Sequence, residues 1–573
     1  MKRTLFVLFT MLVLASFVLA ACGTPATEVP ATQAPAATQA PAATVPPAPS
    51  GTATITFVQE PDNLNPMYTT MSFSGYLRPF YLKSGWDFDE NGKPVPVLAK
   101  EIPSAENGGL SADGKTITIK LRDDVKWSDG EPLTADDYVF TYQMIMSDKN
   151  TPLGRYPYDT YVDSVVAQDP TTVVITLKQP LAAWLTSLFY WGVLPKHVLQ
   201  PVFDADGTID NAAWNRNPVP SLGPFVLDQW ETGSHLAFKA NPNWIQPPKL
   251  EQVFVRIVPD DAAQEAAILA GDTDIGTFLS SDQIQKLEAG GKVKVVPVVS
   301  GYNEAWFVNV NKDTARPFML DVNVRKAIAL ASDRFTIVKD MLVESINPVN
   351  VSFWDTTPPY QNDTLQPYSY DPDQAKQLLD AAGWVDSNGD GIRDKTIDGK
   401  KVDLIVRYAT NQRELRKNIQ AVVEQQWKQA GIGAEMANYS SDIFWNGYAA
   451  GGPMALGQYD IAEYSSSTNA FPDPDTNGFM CDQIVSAAKP DGNNNQGYCN
   501  PAVDELFKQQ AVAVDPAARK ELFNQIEKIM YDDYVYIGMW KDPDLWSVSS
   551  RLKNVKFSGV YPFWNAYEWE VTQ

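Results

Sequence analysis

Histidine chemistry is almost closed to this chain, because only His197 and His235 occur among its 573 residues. They lie too far apart in sequence for a local metal-ligand pair or an HExxH pattern, which disfavours a Ser/His/Asp hydrolase and a histidine-rich zinc enzyme. Carboxylates are the next source. With 69 Asp and Glu, a cleft holding two of them about 5–10 Å apart could run a secreted glycosidase. No stretch marks an acid held protonated, however, and no enzyme is expected. One acidic run does have ligand spacing: Asp386-Ser387-Asn388-Gly389-Asp390-Gly391-Ile392-Arg393-Asp394 places oxygens and a central glycine as in a calcium loop, but Ile397 stands where the closing Glu belongs. Calcium on Asp386, Asn388, Asp390 and Asp394 would therefore be weak, and a Gly/Asp-rich turn accounts for the run equally well. The 46 Lys and Arg leave a net charge of −23, which repels a phosphate backbone and excludes nucleic acid as a partner. That charge keeps the surface soluble and argues mildly against a strongly anionic ligand. Sixteen Trp and 24 Tyr are enough to line a binding cleft as well as to fill cores.

The first residues are an address rather than a fold. Lys2 and Arg3 precede an apolar stretch from Leu5 to Leu19, and Leu19-Ala20-Ala21-Cys22 resembles the lipobox of bacterial lipoproteins. A signal peptide over 1–21 and a lipid on Cys22 are expected, since about 15 apolar residues fall short of the roughly 20 that span a bilayer. Residues 22–50 are nearly all Ala, Thr, Pro and Gln, with Ala31-Thr32-Gln33-Ala34-Pro35-Ala36 repeated at once as Ala37 to Ala42. Such a segment buries no core and at about 3.1 Å per residue reaches roughly 80–90 Å when extended. The body after Ser50 is thus expected outside the cytoplasm, anchored by lipid to the outer face of the cell membrane. In that oxidising setting Cys481 and Cys499 read as a disulfide, with two free buried thiols as the alternative.

The elements that must position any site are mixed. Ile117, Ile119 and Leu121 alternate along one strand, and Val173, Ile175 and Leu177 repeat the period. Thr134 with Asp137 forms a capping box that opens a helix through Tyr138, Phe140 and Met144, and Val324, Ile328, Ala331, Val338 and Leu342 predict a long helical stripe. Strands and helices without regular βαβ repetition predict a mixed α/β (α+β) fold, not a barrel or solenoid.

Here the chain becomes familiar. Ala112-Asp113-Gly114-Lys115-Thr116-Ile117-Thr118-Ile119-Lys120-Leu121-Arg122, running on through Trp127-Ser128-Asp129-Gly130-Glu131-Pro132-Leu133-Thr134-Ala135-Asp136-Asp137, resembles the signature of family 5 extracellular solute-binding proteins, the dipeptide and oligopeptide-type receptors of ABC importers. Glu60-Pro61-Asp62-Asn63-Leu64-Asn65-Pro66, Leu194-Pro195-Lys196-His197, Asn241-Pro242-Asn243-Trp244, Asp321-Val322-Asn323-Val324-Arg325-Lys326 with Asp333-Arg334, and Asp371-Pro372-Asp373 with Ala382-Gly383-Trp384 follow in the family's order. The resemblance implies a two-lobed periplasmic-binding-protein-like fold with the ligand between lobes. Lobe I would take 51–94, 220–310 and 542–573, an extra domain beside it 95–219, and lobe II 311–541. The chain would cross twice between lobes, where a hinge could sit. It also implies ABC permease subunits and, through them, an ATPase as partners, with the receptor itself a monomer; a sensory receptor docking a signalling protein is the variant that sequence does not separate.

Peptide-binding members of the family grip the ligand's α-amine with an Asp just ahead of a turn. In Tyr459-Asp460-Ile461-Ala462-Glu463-Tyr464-Ser465-Ser466-Ser467-Thr468-Asn469-Ala470-Phe471-Pro472-Asp473-Pro474 that position falls on Asn469 or Ala470, neither an anion, with Asp473 as a substitute. The departure leaves two solutes in play: an oligopeptide, or a neutral oligosaccharide held by aromatic stacking and hydroxyl bonds. The expected walls are Trp306, Trp354, Trp445, Tyr448, Tyr464, Phe471, Trp540 and Trp564, and Thr70, Met71 and Ser72 match an edge that lines the pocket in relatives.

Overall fold

The computed structural model describes residues 48–572 apart from 70, 278, 281–282, 356–359, 468–476, 491 and the side chain of Asp442. Among these residues three sheets of three or more strands carry the fold. Their strands are β1 Thr52–Phe57, β2 Thr116–Lys120, β3 Val162–Asp169, β4 Thr172–Leu177, β5 Phe225–Glu231, β6 His235–Ala240, β7 Gln252–Ile257, β8 Ile275–Gly276, β9 Val293–Val298, β10 Asn303–Val308, β11 Ile405–Asn411, β12 Gly433–Tyr439, β13 Ile461–Ser466, β14 Tyr536–Lys541 and β15 Asp544–Ser549.

The first sheet has the order β9-β15-β8-β1-β7-β6-β5. Its central strand β1 runs parallel to β7 and β8, which sets Ile55 beside Val255 and Ile275, all fully buried. Helix Ser72–Tyr81 covers it, because Phe73, Leu77 and Phe80 recur on one face. Phe57 meets Phe73 at 5.0 Å between ring centroids, and Phe80 stacks on Phe563 at 5.3 Å, so the C-terminal tail returns to close this core.

The order β2-β4-β3 forms the small sheet of the insertion. The alternation legible in the sequence holds: Ile117, Ile119, Val173, Ile175 and Leu177 are buried. Helix Ala135–Met146 starts as expected, with the Thr134 N–H donating to Asp137 at 3.0 Å. This sheet and the first share one continuous apolar core.

The second large sheet, β12-β11-β13-β10-β14, is covered on both faces. Every residue of β10 is buried. Trp306 and Val308 face helices Val322–Leu330 and Glu414–Gln429, while Ala305 and Phe307 face helices Pro501–Val512 and Pro516–Asp532. The sheet memberships move the expected lobe boundary. β10 pairs with β13 and β14, so the chain leaves the first sheet between Val298 and Asn303 rather than at 310. A strand buried on both faces belongs with whichever helices cover it, and those helices come later in the chain.

The long helix expected through Leu342 is likewise two helices, Val322–Leu330 and Arg334–Met341. Asp333 interrupts it by accepting the Thr336 N–H at 3.0 Å and starting a new N-terminus. The motif arginines are structural: buried Arg334 donates to the carbonyls of Gly538 and Tyr368, and Arg325 to those of Asp533 and Met319. Cys481 and Cys499 are joined in a disulfide, their Cα atoms 4.5 Å apart; by loop length it restrains the unfolded chain by about 3 kcal/mol.

Under helix Glu414–Gln429 lies a buried polar cluster. Arg416 forks onto Glu304 of β10 at 2.6 and 2.7 Å, and Glu463 of β13 accepts from the Tyr408 hydroxyl, which itself accepts from Trp306 Nε1 at 2.8 Å. Burial raises both carboxyls, Arg416 draws Glu304 back into an ion pair, and Glu463 is pushed up to about 8 by burial with the Glu304 charge beside it. Folded protein therefore keeps a proton on Glu463 that the unfolded chain releases above its ordinary value of 4.5, and stability is lost as pH rises from there to about 8. Glu463→Gln should stabilise the protein by an amount that grows by about 1.4 kcal/mol per pH unit across that window and then levels off. Urea unfolding at a series of pH values checks this; a gain independent of pH would contradict it.

Candidate functional site

The two sheets meet where the chain passes between them. Val298 pairs with Asp544 at the end of the first sheet, Asn303 pairs with Lys541 at the start of the second, and between them the Asp542 N–H donates to the Tyr302 carbonyl at 3.1 Å. The two connectors thus run side by side, a geometry suited to a hinge.

The wall on the first-sheet side follows from the period of β15. Leu545 packs into Ile268, Leu279, Leu287 and Val295, which turns Asp544 and Trp546 to the opposite face. There Trp546 meets the Tyr76 ring at 5.2 Å, so helix Ser72–Tyr81 packs over this face of β15. Met71 is half-buried beside it and Ser72 is exposed. Asp544 is half-buried; burial pushes its carboxyl up to about 6, the Ser300 hydroxyl draws it back, and the Asp542 charge pushes it further. Burial also raises the Tyr302 phenol, with the Ser467 hydroxyl opposing and Asp544 and Asp542 adding to the rise.

On the second-sheet side, aromatic residues gather near the end of β13. β13 ends beside Asn303, and two residues earlier Tyr464 stacks on Phe307 at 4.0 Å between centroids. Trp445 meets the edge of Tyr464 at 4.9 Å and keeps 49% of its surface exposed. Tyr448 follows, itself half-buried in an otherwise exposed turn.

Several expected walls are not walls. Trp306, Trp354 and Trp540 are at most 2% exposed. Trp306 packs on Tyr408 and Trp427, Trp354 among Phe353, Phe479, Phe507 and Phe523, and Trp540 within the same core as Trp306. Strands and loops covered on both faces leave their aromatics no route to a solute. Trp564 is buried in the first core, its carbonyl accepting from Lys83 Nζ at 2.7 Å. Cys22, Thr70, Asn469, Ala470, Phe471 and Asp473 lie outside the described residues. The calcium ligands do not assemble either. Asp386 accepts the N–H groups of Gly389, Asp390 and Gly391, and Asp394 is taken by Ser387 and by Lys401 at 3.2 Å. The run is a turn that satisfies its own backbone, and among the described residues no three His, Cys, Asp or Glu are grouped to hold a metal.

Sequence reasoning missed Tyr76, Tyr302 and Asp544. The available signal was Asp542-Pro543-Asp544, two acids around a proline at the expected return to lobe I.

Comparison with known proteins comes at this point. A family model described as bacterial extracellular solute-binding proteins, family 5 middle, matches residues 93–482. The oligopeptide-binding protein AppA of Bacillus subtilis is 27% identical over 520 residues, covering 89% of this chain and 90% of its own. The structure of that AppA with a nonapeptide superposes with a TM-score of 0.70 at 25% identity, over 92% of this chain and all of the other. The substrate-binding protein CtaP of Listeria monocytogenes, at 23% identity, shares the fold with a TM-score of 0.76 over 92% of this chain and all of its own.

Core and wall separate by stability. Trp306→Ala should cost about 3–5 kcal/mol, whereas Trp445→Ala should stay within about 0.5 kcal/mol of the parent. Urea denaturation distinguishes them, and equal losses would show that Trp445 is core.

Proposed function

The chain belongs to the family 5 bacterial extracellular solute-binding proteins, and from that premise we propose that it is the extracytoplasmic receptor of an ABC importer, taking a peptide-like solute between its two lobes. The observation that supports this most is the extent of its likeness to an oligopeptide-binding protein in complex with a nonapeptide, which covers 92% of this chain and all of the other. A receptor of this kind does no bond-making chemistry, and the two-carboxylate hydrolase reading has no place in such a family. Its work is differential binding: solute seated against both walls favours the closed arrangement by as much as it binds that arrangement better.

The permease reads closure, and the ATPase acts through the permease. The lipid on Cys22 would hold the receptor at the outer membrane face, with the Pro-rich segment up to Ser50 as its tether; no described helix is long and apolar enough to cross a membrane. The receptor is expected to work as a monomer. The oligosaccharide reading, for which Trp445 and Tyr464 would supply the stacking rings, is not favoured, because AppA, the relative above whose description names a ligand, is an oligopeptide-binding protein.

Di- to pentapeptides at 100 times their dissociation constant should stabilise the folded body by about 2.7 kcal/mol, a thermal shift of a few degrees, while α- and β-linked oligosaccharides should not. Stabilisation by sugars alone would overturn the peptide reading.

A further inference from the structure

The first lobe holds a cavity of about 110 Å³, and none of its lining residues stands on the connectors between the sheets. Segments remote in sequence close it. The hairpin of Trp86–Phe88 with Pro94–Pro96 supplies Asp87 and, paired with it in register, Val95. Arg122 comes from just beyond β2, Trp244 from the Asn241-Pro242-Asn243-Trp244 turn after β6, and Trp564 from the C-terminal tail. Pro96 and Gln246 line it too and are exposed, so the cavity opens to solvent.

Its polar side is rich in unspent donors. The buried Lys83 ammonium gives two of its three N–H groups away, to Asp87 Oδ2 at 2.6 Å and to the Trp564 carbonyl at 2.7 Å, and among the described residues nothing takes the third. The Trp244 and Trp564 indoles are buried, and the Nε1–H of each has no acceptor among the described residues. Buried donors without acceptors are unfavourable, so this wall favours a guest that accepts. Charge narrows the choice. Lys83 and Arg122 stand against a single lining anion, Asp87, which Lys83 already pairs. Arg122 also holds Asp124 at 2.6 Å, but Asp124 is no part of the lining and is more than half exposed, where water screens it.

Val95, Val97 and Ile245 make the rest of the wall apolar, which suits a short hydrocarbon group. Size sets the limit. An engineered cavity of about 150 Å³ takes benzene, so this one has room for about four or five heavy atoms, fewer than any dipeptide has.

We propose that this cavity is a second binding site, separate from the solute cleft, for a short-chain monocarboxylate. The carboxylate sits with Lys83, the two indoles and Arg122, and the hydrocarbon end lies against Val95, Val97 and Ile245. Such a guest bridges the hairpin, the turn and the tail, and so stabilises the first lobe. The site does not depend on what the cleft between the lobes carries.

The test titrates propionate, and its neutral isostere propionamide, into the protein at an ionic strength held constant with sodium chloride, read by calorimetry. Wild type should bind propionate saturably and roughly tenfold more tightly than propionamide. Arg122→Gln, at a half-buried position, should weaken propionate about threefold and leave propionamide unchanged. Val97→Phe, which fills the cavity, should abolish binding of both. Thermal unfolding shows whether each variant is folded, and where Val97→Phe is not, Arg122→Gln decides alone. No saturable propionate binding by wild type shows that the cavity holds only water and overturns the site. Propionamide bound as tightly as propionate overturns the carboxylate assignment. Propionate binding unchanged in Arg122→Gln, or surviving in folded Val97→Phe, puts the anion elsewhere, the solute cleft included, and overturns the site as well.

Discussion

Everything in this molecule hangs from the short double connection between its two large sheets. The last paired residues of the first sheet, Val298 and Asp544, and the first of the second, Asn303 and Lys541, are separated by four residues on one connector and two on the other. A backbone hydrogen bond from Asp542 to Tyr302 ties the connectors together. So little chain can absorb a rotation only if the bodies on either side are stiff, and both are: each has its own close-packed apolar core. The insertion adds no third joint, because its small sheet shares the core of the first.

Stiffness in the second lobe comes partly from buried polar groups. Arg334 bonds β14 to the loop at Tyr368, Arg325 bonds its helix to the chain before β14, and Arg416 bonds its helix to β10 through Glu304. Only the Arg416–Glu304 ion pair could be exchanged for apolar packing of similar volume at little loss, since removing Arg325 or Arg334 leaves buried carbonyls without donors. What they add is position: strands β10 and β14, which enter the connectors, are held in register with the helices behind them. Glu463 is the cost of that arrangement, a carboxyl that must keep its proton to stay buried.

Local features of the fold were legible in the sequence and non-local ones were not. The alternation in β2 and β4 and the Thr134 capping box depend on near neighbours. The break at Asp333 also depends on neighbours, but a continuous apolar stripe through Val338 hid it. Trp306 and Trp540 misled because a tryptophan looks the same in sequence whether its strand is covered on one face or two. The calcium-like run left a weak calcium site and a plain turn both open, because oxygen spacing does not reveal whether the turn's own N–H groups take those oxygens first. Tyr76, Tyr302 and Asp544 were invisible for a simpler reason: they come together only because β15 lies beside β9 and under the helix at Ser72, a pairing that no window of sequence contains.

The measurement that tests the central claim most directly is the distance between the lobes with and without bound peptide. Spin labels on Leu269→Cys and Val422→Cys, exposed positions on helices of the first and second lobes, report it by pulsed electron resonance on the body from Gly51 onward. A saturating peptide should shift the distance distribution to shorter values and narrow it. A distribution unchanged in a sample where calorimetry shows the peptide bound would contradict the hinge and leave the double crossing a fixed joint.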